Sequence, residues 1–160
     1  MRKLLTLILA LFMIELSFAT TVKGKVIKVA DGDTITILEE NGNKIRIRFY
    51  GIDAPEKKQE YGLKSLDVLK KLIDKKEVEV DIKDKDQYGR IVGIVYYNGM
   101  NINLYMLETG NAWWYKQYSK HNIEFGVAEE KARIEKLGLW KEKNSTPPWT
   151  YRKEKRKESF

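Results

Sequence analysis

Two short acidic stretches, Asp31-Gly32-Asp33-Thr34 and Asp53-Ala54-Pro55-Glu56, lie on either side of Arg48 in a chain of net charge +7. Carboxylates concentrated in this way within a basic chain are placed to hold a cation. Asp33 and Asp53 each close or follow a β-patterned segment, and adjacent strands of a meander can bring such ends together. Two carboxylates with a backbone carbonyl and water form a hard-oxygen site that Ca²⁺ accepts readily and Mg²⁺ accepts with more retained water. Asp31, two residues before Asp33, is suited to support the water around such an ion. Phosphodiester hydrolysis needs charge neutralisation, a positioned water and stabilisation of five-coordinate phosphorus. Arginine meets the last need best, because its planar fork pairs two phosphate oxygens at once. Arg48 is one candidate and Arg90, in Asp86-Gln87-Tyr88-Gly89-Arg90, is the other; Arg46 shares the strand face of Arg48. Glu56 is the remaining carboxylate near the pair and is the candidate to orient or deprotonate the water. Taken singly, Asp31-Gly32 is a turn and each arginine a solvated strand residue. The set together points to phosphate chemistry.

The elements that must position these residues read as mainly β. Val22, Val26, Ile27 and Val29 form a β-branched run, the Asp31-Gly32 turn follows, and Ile35 and Ile37 alternate with Thr34 and Thr36. Residues 44–50 alternate strictly, with Ile45, Ile47 and Phe49 on one face and Lys44, Arg46, Arg48 and Tyr50 on the other. After Pro55 the period changes. Leu63, Leu66, Leu69, Leu72 and Ile73 recur at helical spacing and predict a helix over 60–74. Strands are expected over 77–83 and 90–97, and helices over 101–109 and 122–137, with Asn122 as N-cap and Gly138 as the C-terminal glycine. Five short strands with a helix between the third and fourth, and about three helices in all, is the order of an OB-type Greek-key barrel, an α+β fold that is mainly β.

The length of 160 residues fits one domain with a sizeable core. Without cysteine, disulfides and thiolate metal sites are excluded, and a single histidine supplies zinc-type or Ser-His-Asp chemistry poorly. The basic balance favours a polyanionic partner, nucleic acid before an anionic membrane. Residues 1–19 have the form of a signal peptide: Arg2 and Lys3, an apolar run from Leu4 to Ile14 that is too short to span a bilayer, then Ser17-Phe18-Ala19. Export with cleavage after Ala19 is expected, and retention as a membrane anchor is the minor alternative. The folded domain is expected over 20–143, followed by a loose, basic C-terminal tail over 144–160.

Taken in order, Val29-Ala30-Asp31-Gly32-Asp33-Thr34, then Arg48 through Ile52-Asp53-Ala54-Pro55-Glu56, then Asp86-Gln87-Tyr88-Gly89-Arg90 resemble the staphylococcal (thermonuclease-type) nuclease family, secreted Ca²⁺-dependent OB-fold nucleases. The resemblance runs from Thr21 to about Trp140. It implies that Asp33 and Asp53 bind Ca²⁺ with the carbonyl of Ala54, and that Asp31 stands close to the ion without ligating it. Arg48, Arg90 and Glu56 match the family's catalytic residues, and Tyr88 matches a tyrosine beside the bound nucleotide. It also implies cleavage of DNA and RNA to leave 3′-phosphates. A monomer is the default expectation for a chain of this size and fold. Two departures concern substrate grip: the loop after Glu56 is short, at Lys57-Lys58-Gln59, and Gln87 stands where a lysine is usual.

In Ala112-Trp113-Trp114-Tyr115 and Tyr118, exposed rings would stack on bases and buried rings would close the groove between barrel and helices. Trp113 is expected in the core, and Tyr115 and Tyr118 at the nucleotide. A non-catalytic nucleic-acid-binding OB module is the alternative reading. It predicts the loss of at least one of Arg48, Glu56 and Arg90, and all three are present.

Overall fold

The computed structural model describes residues 20–158, so the expected signal peptide lies outside the described residues. Strand β1 (Thr21–Asp31) pairs antiparallel with β2 (Thr34–Leu38), and β2 pairs antiparallel with β3 (Lys44–Phe49). The other edge of β1 pairs with β5 (Glu77–Lys85), and β5 with β6 (Ile91–Tyr97). The barrel closes where β3 meets β6 in parallel, with Arg48 opposite Val92. This five-stranded closed barrel is the OB-type fold expected from the sequence. Two register shifts in β1, between Val26 and Lys28 and between Val29 and Asp31, let one long strand bend between two neighbours.

The alternation of the strands decides what fills the barrel. Val26, Ile35, Ile37, Ile47, Phe49, Val78, Val80 and Val95 are buried inside it. Helix α1 (Gly62–Ile73) adds Leu69 and Ile73 to the same core. The expected apolar face of this helix is only partly right, because Leu63 is exposed while Gly62 and Ser65 are buried. Small residues are needed there because Gly62 lies against the Glu56 carbonyl and Ser65 against the Asp31-Gly32-Asp33 hairpin. A Cβ on Gly32 would come within 2.7 Å of the Ala54 Cβ and collide with the Ser65 Oγ.

Two short strands, β4 (Ile52–Asp53) and β7 (Met100–Asn101), help to place the next elements. Helix α2 (Ile102–Glu108) is N-capped by Asn101, whose side chain accepts from the Leu104 N–H at 3.0 Å. Buried Asn103 joins this helix to the barrel seam: its Oδ1 accepts from Val95 N–H, and its Nδ2 donates to the carbonyls of Tyr50 and Gly93. Strand β8 (Trp113–Trp114) pairs with β4 and is followed by a short helix, α3 (Lys116–Ser119), and by α4 (Ile123–Ile134). Asn122 occupies the N-cap position of α4 without a side-chain cap bond, in contrast to the capping expected of it.

Past the end of α4 the first left-handed residue is Lys136, and Gly138 serves a different purpose from the one assigned to it. With φ at 53°, it packs so tightly on the turn at Gly110 that a Cβ would clash with the Gly110 carbonyl. This lets Leu139 N–H bond the Gly110 oxygen at 2.8 Å as the 3-10 turn Gly138–Lys141 begins.

The expected loose tail is instead a helix, α5 (Pro148–Glu158). Proline opens it, at a position where its missing N–H costs nothing and its fixed φ suits the first turn. The Trp149 ring stacks on Tyr115 at 5.2 Å between centroids and 3° between planes, and meets Trp113 edge-on at 5.8 Å. Trp113 in turn packs edge-on against Trp140 at 4.4 Å, and the Arg133 guanidinium lies 3.8 Å from the Trp140 ring. Each such aromatic contact is worth about 0.5–1.5 kcal/mol beyond the area it buries. In all, five α-helices and one 3-10 turn accompany the barrel among the described residues, more than the three expected.

Candidate active site

The hairpin between β1 and β2 places Asp33 with its backbone facing β3 and its carboxylate facing β4. The Asp33 carbonyl accepts from Phe49 N–H at 2.8 Å. Its Oδ1 accepts from the Thr34 hydroxyl at 3.0 Å, and its Oδ2 accepts from the Ala54 N–H. The Asp31 carboxylate folds back to accept from the Asp33 N–H at 3.1 Å, closing the turn. Asp53 is held by β4, whose partner β8 sets Trp113 opposite it in register. Both Asp33 and Asp53 are buried.

Arg48 projects from β3 between the two aspartates. Its Nη1 lies 3.0 Å from Asp33 Oδ2, its Nη2 donates to Asp53 Oδ1 at 2.7 Å, and Nη1 also donates to the Ile52 carbonyl at 2.9 Å. A fork of this kind serves two carboxylates and a carbonyl at once, which a single ammonium does with far less geometric control. Burial works against the Arg48 charge, and Asp33, Asp53 and Asp31 together outweigh it and raise its pKa. Burial pushes the Asp31 carboxyl up to about 7, aided by the neighbouring Asp33 charge and eased by Arg48. Asp53 is also raised by its burial, against the pull of its hydrogen bond to Arg152.

Glu56 follows on a short loop folded against the start of α1. Its N–H donates to Gln59 Oε1 at 3.1 Å, and its carbonyl accepts from Gln59 N–H at 2.8 Å. The short Lys57-Lys58-Gln59 connection is thus a compact turn, and Gln59 extends it by donating to the Thr146 carbonyl at 2.6 Å. The Glu56 carboxylate reaches the cluster through a residue that the sequence reading missed. Arg152 of α5 donates from Nη1 to Glu56 Oε1 at 2.8 Å and from Nη2 to Asp53 Oδ2 at 2.7 Å. The signal that could have found it is local: Pro147-Pro148-Trp149-Thr150-Tyr151 brings helix-opening prolines and buriable rings one turn ahead of Arg152, in a stretch otherwise made of charges.

Asp31, Asp33, Arg48, Asp53, Ala54 and Glu56 therefore come together. Arg90 stands apart from them, just before the β6 residues that pair with Ile47 and Arg48. Asp86 holds it by its Nε at 2.7 Å and by its N–H, and its guanidinium lies 5.6 Å from the Tyr88 ring. The Asp86 carboxyl is in turn lowered, its hydrogen bond to Arg90 outweighing burial. Tyr88 and Tyr118 are exposed, whereas Tyr115 is half-buried between Tyr118 and Trp149. The Tyr115 hydroxyl is raised by burial and by the charge of Asp53, which places it in the field of the cluster. Trp113 is buried, as expected. Arg46 is exposed on β3 opposite Thr36 and, among the described residues, has no hydrogen bond or ion pair to the cluster.

The donor set fits a hard divalent cation, since Asp33 and Asp53 offer carboxylate oxygens close enough to be bridged by one guanidinium. Among the described residues no three acidic or histidine side chains form a ready cage. An ion here would complete its shell with backbone carbonyl and water, as Ca²⁺ and Mg²⁺ commonly do.

A closed OB-type barrel with an arginine-bridged carboxylate cluster beside its β1–β2 hairpin is the class that fold and site define. Residues 46–142 match the family described as staphylococcal nuclease homologue, a stretch that contains Arg48, Asp53, Glu56 and Arg90 but neither Asp33 nor Arg152. A protein of Escherichia coli named "Uncharacterized endonuclease" is 42% identical over 156 residues, covering 97% of this chain and 100% of its own length. A protein of the same name from Haemophilus influenzae is 40% identical over 157 residues, 97% of this chain and 88% of its own. The "Micrococcal nuclease" of Shigella flexneri is 39% identical over 141 residues, 82% of this chain and 80% of its own. The chain belongs to the staphylococcal nuclease homologue family.

Proposed function

We propose that this protein is an exported, Ca²⁺-dependent nuclease that hydrolyses phosphodiester bonds in DNA and RNA and leaves 3′-phosphate ends. The observation that carries the reading is the buried Asp33–Arg48–Asp53 bridge with Glu56 joined to its edge. Family membership and relatives named as nucleases support the nuclease part of this reading.

Asp33, Asp53 and the Ala54 carbonyl would hold the cation, with Asp31 supporting its water. When bound, that ion supplies charge neutralisation at the phosphate and orders water beside it. Arg48, freed from part of its pairing with the aspartates, turns its fork to the phosphate oxygens. Arg90 is gripped by Asp86 along its Nε edge, which leaves its two terminal nitrogens for the same phosphate. Glu56 takes the proton of the attacking water, whose oxygen bonds to phosphorus as the bond to the 5′ oxygen breaks; the leaving oxygen is protonated from solvent. Tyr88 and Tyr118, both exposed, offer faces to the bases, where stacking contributes about 1–3 kcal/mol per base, whereas the Tyr115 ring is taken up by Trp149 and Tyr118.

Digestion of a single-stranded oligonucleotide with fragment masses as readout tests this reading. Fragments ending in 3′-phosphate are expected, and 3′-hydroxyl ends would contradict the assigned bond. Export rests on the leader-like 1–19 segment, and an intact mass beginning at Thr20 for the protein recovered outside the cytoplasm is the expected result. Recovery of the uncleaved chain in the membrane fraction would favour the anchor instead.

A further inference from the structure

We propose that Arg152 of the C-terminal helix is a positioning residue of the cleavage site, fixing the Glu56 carboxylate against Asp53. The proposal rests on the nuclease reading above and adds a residue from outside the segment matched by the family.

Glu56 needs such a partner. Its side chain is 39% exposed on a turn, and among the described residues Arg152 is its one hydrogen-bonding or ionic partner. Free to rotate, a glutamate on a surface turn spreads over many rotamers, and ordering it costs conformational entropy. Arg152 removes that freedom by binding two carboxylates with one plane of donors. Nη1 reaches both Glu56 Oε1 at 2.8 Å and Asp53 Oδ1 at 3.2 Å, while Nη2 takes Asp53 Oδ2 at 2.7 Å. The base is thereby indexed to a proposed cation ligand, the relation that a water lying between ion and base requires.

The arginine is itself held from behind. Trp149 and Arg152 are three apart on α5 and so share a face of the helix. Trp149 is wedged in parallel on Tyr115 and edge-on to Trp113, the β8 residue paired in register with Asp53. Gln59, whose amide oxygen accepts from the Glu56 N–H, donates from the other end to Thr146 just ahead of α5. The segment leading into the helix is thus tied to the Glu56 turn through Gln59, and Arg152 adds the second tie. Charge is compatible with an ion as well: three carboxylates, Asp33, Asp53 and Glu56, face two guanidiniums, so the cluster still attracts a cation.

The test compares the purified wild-type protein with Arg152→Ala, Arg152→Lys, Glu56→Gln and the Glu56→Gln/Arg152→Ala double variant. Steady-state cleavage of a single-stranded oligonucleotide in Ca²⁺ is measured, with melting temperature as the folding control. For Arg152→Ala, kcat is expected to fall about 10²-fold with KM changed less than about threefold, the size of loss that follows misplacement of a catalytic group. Arg152→Lys is expected to recover a minor part of that loss, because an ammonium lacks the fork. In the Glu56→Gln background the Arg152→Ala change is expected to cost less than about threefold, since its effect runs through a carboxylate no longer able to act. Unchanged or raised activity of Arg152→Ala beside an active wild type overturns the proposal and marks α5 as a bystander or a plug. Full multiplication of the two losses overturns it too, because Arg152 would then act without Glu56. An inactive wild type overturns the nuclease reading itself.

Discussion

Glu56→Gln is expected to lower the rate of phosphodiester hydrolysis by about 10³-fold, within the range that a general base contributes, while leaving the fold intact. Glutamine keeps the volume of the side chain and an oxygen that can still accept from Arg152 Nη1, so the frame around α5 survives. Its amide has no basicity to take a proton from water. The Glu56–Arg152 pair is partly exposed on both sides, and such pairs contribute about 0–1 kcal/mol to stability. Melting temperature and oligonucleotide binding should therefore stay close to wild type as kcat collapses. Binding can be followed by fluorescence anisotropy, and a kcat within about threefold of wild type would remove Glu56 from the role assigned to it.

Arg48→Ala is expected to damage both stability and activity, and the two losses have different causes. The Arg48 side chain is 14% exposed and that of Asp53 only 1%, so removal leaves two buried carboxylates with much of their compensation gone. Breaking a buried pair from one side costs about 3–5 kcal/mol, which chemical denaturation would read as a lower midpoint. Loss of a phosphate-stabilising donor should separately lower kcat by about 10²–10³-fold. A third readout tells the causes apart. If Ca²⁺ binds the same aspartates, it should raise the melting temperature of the variant more than that of wild type, because it relieves a repulsion present only in the variant. Equal Ca²⁺ effects on both proteins would place the ion elsewhere.

Much of this arrangement was legible in the sequence because it is local. Strict alternation over 44–50 fixed which face of β3 carries Arg48, and the Asp31-Gly32 turn fixed where Asp33 would stand. Asp33, Arg48, Asp53 and Glu56 lie within one short stretch of chain, so a three-stranded meander suffices to gather them. What was hidden depends on distant packing. Leu63 belongs to the helical period yet faces solvent, while Gly62 and Ser65 fill the close approaches to the Glu56 carbonyl and to the Asp31-Gly32-Asp33 hairpin, where only small residues fit. Lys136 adopts the left-handed conformation that Gly138 seemed made for, because Gly138 is needed where Gly110 comes near. The largest omission was α5. Its composition is that of a solvated tail, and its order comes from one ring on Tyr115 and one guanidinium between Asp53 and Glu56. Neither contact has a period, and the Pro147-Pro148-Trp149 opening is the local sign of the helix in the sequence.

In the function proposed, the Asp33–Asp53 cluster works as a Ca²⁺-dependent phosphodiesterase. Its most direct test is the rate of single-stranded DNA cleavage by the purified protein in Ca²⁺, in Mg²⁺ and in excess chelator. Rapid cleavage is expected in Ca²⁺, weaker cleavage in Mg²⁺, which retains more of its own water, and none in chelator. Cleavage that persists at full rate in chelator, or no cleavage under any of the three conditions, would contradict it.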